Sequence, residues 1–169
     1  MPIPAVRLNH AVLYVDNVTT AVDFYSTVLG MELVAHEPRM GAAFLRLPRS
    51  GNHHDLGLFT APPSTQQRRS SPGLYHLAWQ VDTIDDLIAA RQTRIDHNAY
   101  VGESSHGATK SLYATDPAGN EFEVMWMLPR DQWDSYANSA PVEHLDLNSE
   151  HHAWSGVPTA SELVPLPTQ

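Results

Sequence analysis

Leu8-Asn9-His10-Ala11-Val12-Leu13-Tyr14-Val15-Asp16 and Leu74-Tyr75-His76-Leu77-Ala78-Trp79-Gln80-Val81-Asp82 carry Leu, His, Val and Asp at the same places, 66 residues apart. Each stretch is short, apolar and rich in β-branched or aromatic residues, the composition of a strand. Each ends on an Asp, a residue type that caps helices. A helix is expected over Val18–Leu29, where Ala21, Val22, Phe24, Tyr25, Val28 and Leu29 recur at helical spacing and Gly30 suits the C-terminal turn. A second is expected from Ile84, with Leu87, Ile88 and Ala90.

Short strand candidates follow each helix: residues 32–37, 42–47 and 55–60 in the first half, then 99–102, 110–115 and 122–127 in the second. Each half therefore reads β-α-β-β-β, and an internal repeat of this kind defines an architecture directly. The expected fold class is α+β, with a first module over residues 1–60, a linker over 61–73 and a second module over 74–128. The linker is rich in Pro, Ser, Gln and Arg, which favours exposure. From 129 to 169 the pattern dissolves among five prolines into a tail. A short helix is expected over 130–137, with Trp133, Tyr136 and Trp154 available to anchor the tail on the body or on a partner. A partly ordered tail is the alternative.

Composition removes whole classes of function. The chain of 169 residues has no cysteine, so disulfides, thiolate metal sites and cysteine nucleophiles are excluded, and a reducing cytoplasm is the expected location. A net charge of −9 without a basic stripe argues against nucleic acid or anionic membranes as partners. No apolar run approaches the length of about 18 residues that a membrane span requires. The first residues lack the basic-then-apolar layout of a signal peptide. Ten histidines against ten Lys and Arg is an unusual balance, and histidine is both the commonest metal ligand and the usual acid/base near neutral pH.

One histidine on an apolar strand is usually a satisfied core residue. His10 and His76, in repeat register, can instead meet where the two halves pair. The turn Asp116-Pro117-Ala118-Gly119-Asn120 leads into Glu121-Phe122-Glu123-Val124-Met125-Trp126. There Glu123 sits among apolar neighbours, where an unpaired carboxylate is costly and a cation would remove the cost. The alternative is that Glu121 or Glu123 merely faces water, and one of them need not be a ligand. Two histidines and one carboxylate with open positions suit non-haem Fe(II). The repeat partner of Glu123 is Gly57, so the protein offers no fourth ligand from that position.

This pattern resembles the vicinal oxygen chelate superfamily, and within it the type I extradiol dioxygenases, over residues 7 to about 128. The resemblance implies two modules paired into an open, partly closed mixed β-barrel around a metal site. His10 in LNHAVLYV, His76 in LYHLAWQV and Glu123 in DPAGNEFEV match the family's ligands, which implies iron(II), with manganese(II) as the alternative. His53-His54-Asp55-Leu56-Gly57-Leu58-Phe59 looks like the family segment that carries an acid/base histidine. His54 is the matching residue, and His53 beside it is the alternative. His106-Gly107-Ala108-Thr109-Lys110-Ser111 looks like the loop with a second histidine, although His106 lies closer to Tyr113 than in larger relatives. Tyr113, ten residues before Glu123, matches the family tyrosine.

The resemblance implies ring cleavage of a catechol-type aromatic diol by O2. His54 would be the general acid/base, Tyr113 would hydrogen-bond a substrate oxygen, and His106 would assist substrate deprotonation or binding. A homodimer is also implied, and exposed edge strands favour pairing. Two other classes share the framework: a non-oxidative lyase or isomerase, and an aromatic drug-binding resistance protein. Gly57 argues against a glyoxalase that needs four protein ligands, and the retained ligand set argues against a metal-free drug binder.

Overall fold

The computed structural model describes residues 7–62 and 73–160. Eight strands and three α-helices follow one another as β1 (Ala11–Val15), α1 (Val18–Leu29), β2 (Glu32–Glu37), β3 (Ala42–Arg46), β4 (Leu56–Thr60), β5 (His76–Gln80), α2 (Ile84–Asp96), β6 (Tyr100–Ser105), β7 (Thr109–Thr115), β8 (Glu121–Met127) and α3 (Leu147–Trp154). The strands form two four-stranded sheets, ordered β1-β4-β3-β2 and β5-β8-β7-β6. Both are mixed, because the first and last strands of each set pair parallel and the middle hairpins antiparallel. The α+β class and the β-α-β-β-β order of each half follow. Most of the linker expected at 61–73 lies outside the described residues.

The chain divides into two compact units, Met1–Leu74 with Thr115–Asn120, and Tyr75–Ala114 with Glu121–Gln169. The turn at 115–120 belongs with the first unit through its side chains. Tyr25 Oη donates to Asp116 Oδ2 (3.0 Å) and Asn120 Nδ2 donates to the Tyr14 carbonyl (3.2 Å). Burial and the adjacent Asp116 carboxylate push the Tyr25 hydroxyl well above the ordinary tyrosine range, so it stays a donor.

The repeat extends to hydrogen-bond register. Val12 pairs with Gly57 in the first sheet and Ala78 with Glu123 in the second, each 45 residues apart. Both hairpins also carry a register shift at matching points, between Leu33 and Ala35 and between Tyr100 and Gly102.

Local signals explain the helix boundaries, with one correction. The capping residues are not Asp16 and Asp82 but their successors. Asn17 accepts from Thr20 N at 2.9 Å, and Thr83 forms a reciprocal capping box with Asp86. An Asn or Thr whose side chain reaches the third residue on satisfies a backbone N–H that the helix itself leaves open. Gly30 closes α1 at φ +65°, a left-handed conformation that favours glycine.

Each unit has its own core. Leu13, Val15, Ala21, Tyr25, Leu45, Leu56 and Leu58 are buried in the first, and Ile84, Leu87, Leu112, Phe122, Val124, Trp126 and Leu145 in the second. Each such large side chain contributes about 1.5–3 kcal/mol through removal from water. Arg94 is 1% exposed, its guanidinium 5.7 Å from the Phe122 ring centre, and desolvation pushes its pKa down to about 10.

Beyond 129, short elements follow as far as residue 154. Short 3-10 turns at Arg130–Gln132 and Asp134–Asn138 stand where one helix was expected, and α3 was not foreseen. Asp146 caps α3 by accepting from Asn148 N and Ser149 N. The aromatic residues do anchor this segment. Trp154 packs on Trp126 with ring centres 6.2 Å apart, and Trp133 Nε1 donates to the Leu128 carbonyl (2.8 Å). Among the described residues no helix is long and apolar enough to cross a membrane.

Candidate functional site

In the first unit, His10 directly precedes β1 and His54 lies two residues before β4. Those strands pair parallel, and Ala11 N donates to the Asp55 carbonyl at 3.0 Å, so the two histidines are neighbours. Their ring centres are 4.4 Å apart. Phe44 meets the His54 ring edge-on at 5.2 Å, and His53 Nδ1 lies 3.1 Å from His54 Nδ1. Partial burial holds the His54 imidazole below the ordinary histidine range; His10 and His53 push the same way and Asp55 opposes them.

Two residues that had no assigned role in the sequence build this corner. Asp55 is buried, and its carboxylate accepts from Leu47 N (2.7 Å), Ser50 Oγ (2.8 Å) and Asn52 Nδ2 (2.6 Å). Asn52 Nδ2 also donates to the Asn9 carbonyl (3.0 Å), tying the loop that carries His54 to the residue before His10. A carboxylate that satisfies three donors across one loop holds that loop in one shape. An Asp directly after the His-His pair was the only signal for it in the sequence.

In the second unit, His76 opens β5 and Glu123 is the third residue of β8. His76 Nε2 lies 3.0 Å from Glu123 Oε2. Ser111 Oγ donates to the other oxygen, Glu123 Oε1, at 2.5 Å. Ser111 and Tyr113 are two residues apart on β7, hence on one face, a period-two signal that could have picked out Ser111. Glu121 engages Tyr75 instead, and its carboxylate pushes the Tyr75 hydroxyl above its ordinary range.

Tyr113 lies against His76, ring centres 5.7 Å apart, and pairs with His106. His106 sits in the loop between β6 and β7. Its Nε2 is 2.8 Å from Tyr113 Oη and 2.9 Å from Ser104 Oγ, and its Nδ1 is 2.8 Å from the Pro141 carbonyl. His76, Glu123, Ser111, Tyr113 and His106 thus form a connected set in the second unit, and His10 and His54 form a pair in the first.

The donor set of the second unit fits a divalent cation. Glu123 is 8% exposed, yet among the described residues no Lys or Arg reaches it. His76 Nδ1 is buried with no hydrogen-bond partner. A buried carboxylate faced only by an imidazole and a hydroxyl lacks a permanent compensating charge, which a bound cation supplies. Among the described residues no three His, Asp or Glu side chains converge.

The family profile of the Glyoxalase/Bleomycin resistance protein/Dioxygenase superfamily matches residues 7–124, and the chain belongs to that superfamily. The protein named biphenyl-2,3-diol 1,2-dioxygenase 3, from Rhodococcus globerulus, is 34% identical over 146 residues, covering 83% of this chain and 68% of that protein. Catechol-2,3-dioxygenase of Bacillus subtilis (strain 168) is 28% identical over 128 residues, 75% of this chain but only 44% of that protein. The chain therefore spans less than half the length of the second relative. Among solved structures, lactoylglutathione lyase from Agrobacterium tumefaciens is similar in fold, with a TM-score of 0.55 at 23% identity over 73% of this chain and 95% of that chain.

Proposed function

We propose that this protein is an Fe(II)-dependent extradiol dioxygenase that opens a catechol-type ring with O2. The observation that carries the reading is the nearly buried Glu123 facing His76 at 3.0 Å, with the Tyr113–His106 pair beside it. His10, His76 and Glu123 would hold the iron. When bound, the metal supplies a Lewis acid and template for both substrate oxygens and the electrons for O2. Gly57, in the register position equivalent to Glu123, offers no fourth protein ligand, which would leave a bound metal open to substrate and O2.

The chain's own groups handle protons and orientation. The His54 imidazole, held below its ordinary pKa, is largely neutral at pH 7 and is suited to accept a proton and return it. Tyr113 would hydrogen-bond a substrate oxygen. His106 Nε2, 2.8 Å from Tyr113 Oη, would assist deprotonation or binding of the substrate.

The test is to load the protein anaerobically with Fe(II), add catechol or dihydroxyphenylalanine, admit air and follow O2 uptake with the yellow ring-opened product. Stoichiometric uptake with product is expected. Turnover without O2, supported by Ni(II) or Zn(II), would replace this reading with a lyase or isomerase. Failure to bind any divalent metal would replace it with an aromatic-binding protein.

A further inference from the structure

We infer that the segment from Trp133 to Glu150, which lies beyond the family-matched region, is a strap that sets the tautomer of His106 and so makes the Tyr113 hydroxyl a proton donor to it. The inference rests on the extradiol reading for its catalytic meaning, but not for its structural content.

Three contacts anchor the strap beside the loop that carries His106. Ser105 and Glu143 exchange both backbone hydrogen bonds, at 3.0 and 2.9 Å, as an isolated antiparallel bridge. Lys110, only 6% exposed, donates to Ser105 Oγ (3.1 Å) and pairs with Glu150 of α3 at 2.6 Å. Tyr136 lies so close over Gly107 that a Cβ there would collide with its ring, and Leu145 is 2% exposed. Between these anchors, the Pro141 carbonyl comes within 2.8 Å of His106 Nδ1.

A carbonyl can only accept. Nδ1 must therefore carry the proton, which leaves Nε2 of the neutral ring as a bare acceptor. Nε2 lies 2.8 Å from Tyr113 Oη and 2.9 Å from Ser104 Oγ; with the Ser104 proton directed to the phenolic oxygen, the phenol donates to Nε2. Ser104 Oγ, 3.3 Å from the phenolic oxygen, donates to that oxygen in turn. With the other tautomer, Nε2–H would point at the phenolic oxygen and Nδ1 would face the carbonyl lone pairs, and the relay would be lost. An imidazole that takes the Tyr113 proton keeps Nδ1–H on the Pro141 carbonyl, which also stabilises the cation. The Pro141 carbonyl is thus a positioning group that acts through His106.

The tautomer can be read on the metal-free full chain from two-bond 1H–15N correlations of the histidine rings, with the His106 signals assigned by H106N. The expected wild-type spectrum has Nδ1 protonated and Nε2 bare. Glu143→Pro removes the N–H that bonds to Ser105 and loosens the strap, so a mixture of tautomers and a fall in kcat of roughly tenfold or more are expected. Glu143→Ala keeps the backbone bridge and truncates only an exposed side chain, so the wild-type tautomer and kcat are expected. Pro141→Gly keeps the carbonyl but frees the backbone; it should shift the tautomer in the same direction and serves if Glu143→Pro does not fold. A wild-type His106 protonated on Nε2 overturns the inference, as does an unchanged tautomer in a folded strap variant. A correct tautomer without ring cleavage would retire the extradiol reading and leave the strap standing.

Discussion

His76 and Glu123 face each other at 3.0 Å from two parallel-paired strands, although Glu123 stands opposite Ala78 in the hydrogen-bond register and His76 opposite Glu121. The contact runs diagonally across the pair, which lets Ser111 take the second carboxylate oxygen from the neighbouring strand. The carboxylate is thereby aimed by a hydroxyl at one oxygen and left with an imidazole at the other, the arrangement from which the metal reading starts.

Replacing Glu123 by Ala removes the one buried carboxylate that faces His76 among the described residues. One Fe(II) per chain is expected in the wild type and no stoichiometric iron in the variant, read by metal analysis after desalting. Full iron content in a folded Glu123→Ala protein would end the ligand assignment.

Ser111→Ala separates aiming from ligation. Its loss leaves Glu123 Oε1 without a donor in a buried setting, at a cost of about 1–3 kcal/mol in stability. Metal affinity should fall about 10- to 100-fold while one metal per chain is still reached at saturation. Denaturant melts and metal titration measure the two effects separately.

His54→Phe keeps an aromatic ring against His10 and Phe44, so folding, iron content and catechol binding should persist. Turnover should drop about 10²- to 10⁴-fold if this imidazole moves the proton. Wild-type turnover would remove His54 from the chemistry and direct attention to His53.

A pH dependence is expected at the C-terminal end of α3, just beyond the strap. Asp85, in the first turn of α2, accepts from Gly156 N (2.8 Å), Ser155 Oγ (2.9 Å) and His151 Nε2 (2.9 Å), and these bonds, that of Gly156 first, hold its carboxyl below the ordinary range. Because the folded pKa is the lower one, the stabilisation is fully present above the unfolded carboxylate pKa of about 3.9 and is lost as pH falls through the folded value. Amide exchange in residues 147–157 should accelerate in the acid range, once corrected for intrinsic rates. Asp85→Asn should exchange faster at neutral pH and lose that acid-range step. Retention of the step in the variant would assign it to another carboxylate.

What the linear chain made legible was whatever depends on neighbours in sequence. The repeat of strand and helix was readable because apolar alternation, helical spacing and turn residues act within a few positions, and α1 begins and ends where that spacing placed it. Even the caps were missed by a single residue, since Asp16 and Asn17, or Asp82 and Thr83, are equally good by type and only backbone geometry selects between them.

The amino-acid sequence alone determined two β-α-β-β-β halves, the positions of His10 and His76 at equivalent strand starts, and Gly57 where a second carboxylate would otherwise stand. Only the tertiary structure decided that Glu123 rather than Glu121 faces His76, that Ser111 aims it, and that the segment from Trp133 to Glu150 packs as a strap whose Pro141 carbonyl orients His106. The reason is physical. Patterning records whether a side chain prefers water or the core, whereas a hydrogen bond between residues 35 positions apart depends on where the whole chain has been folded to.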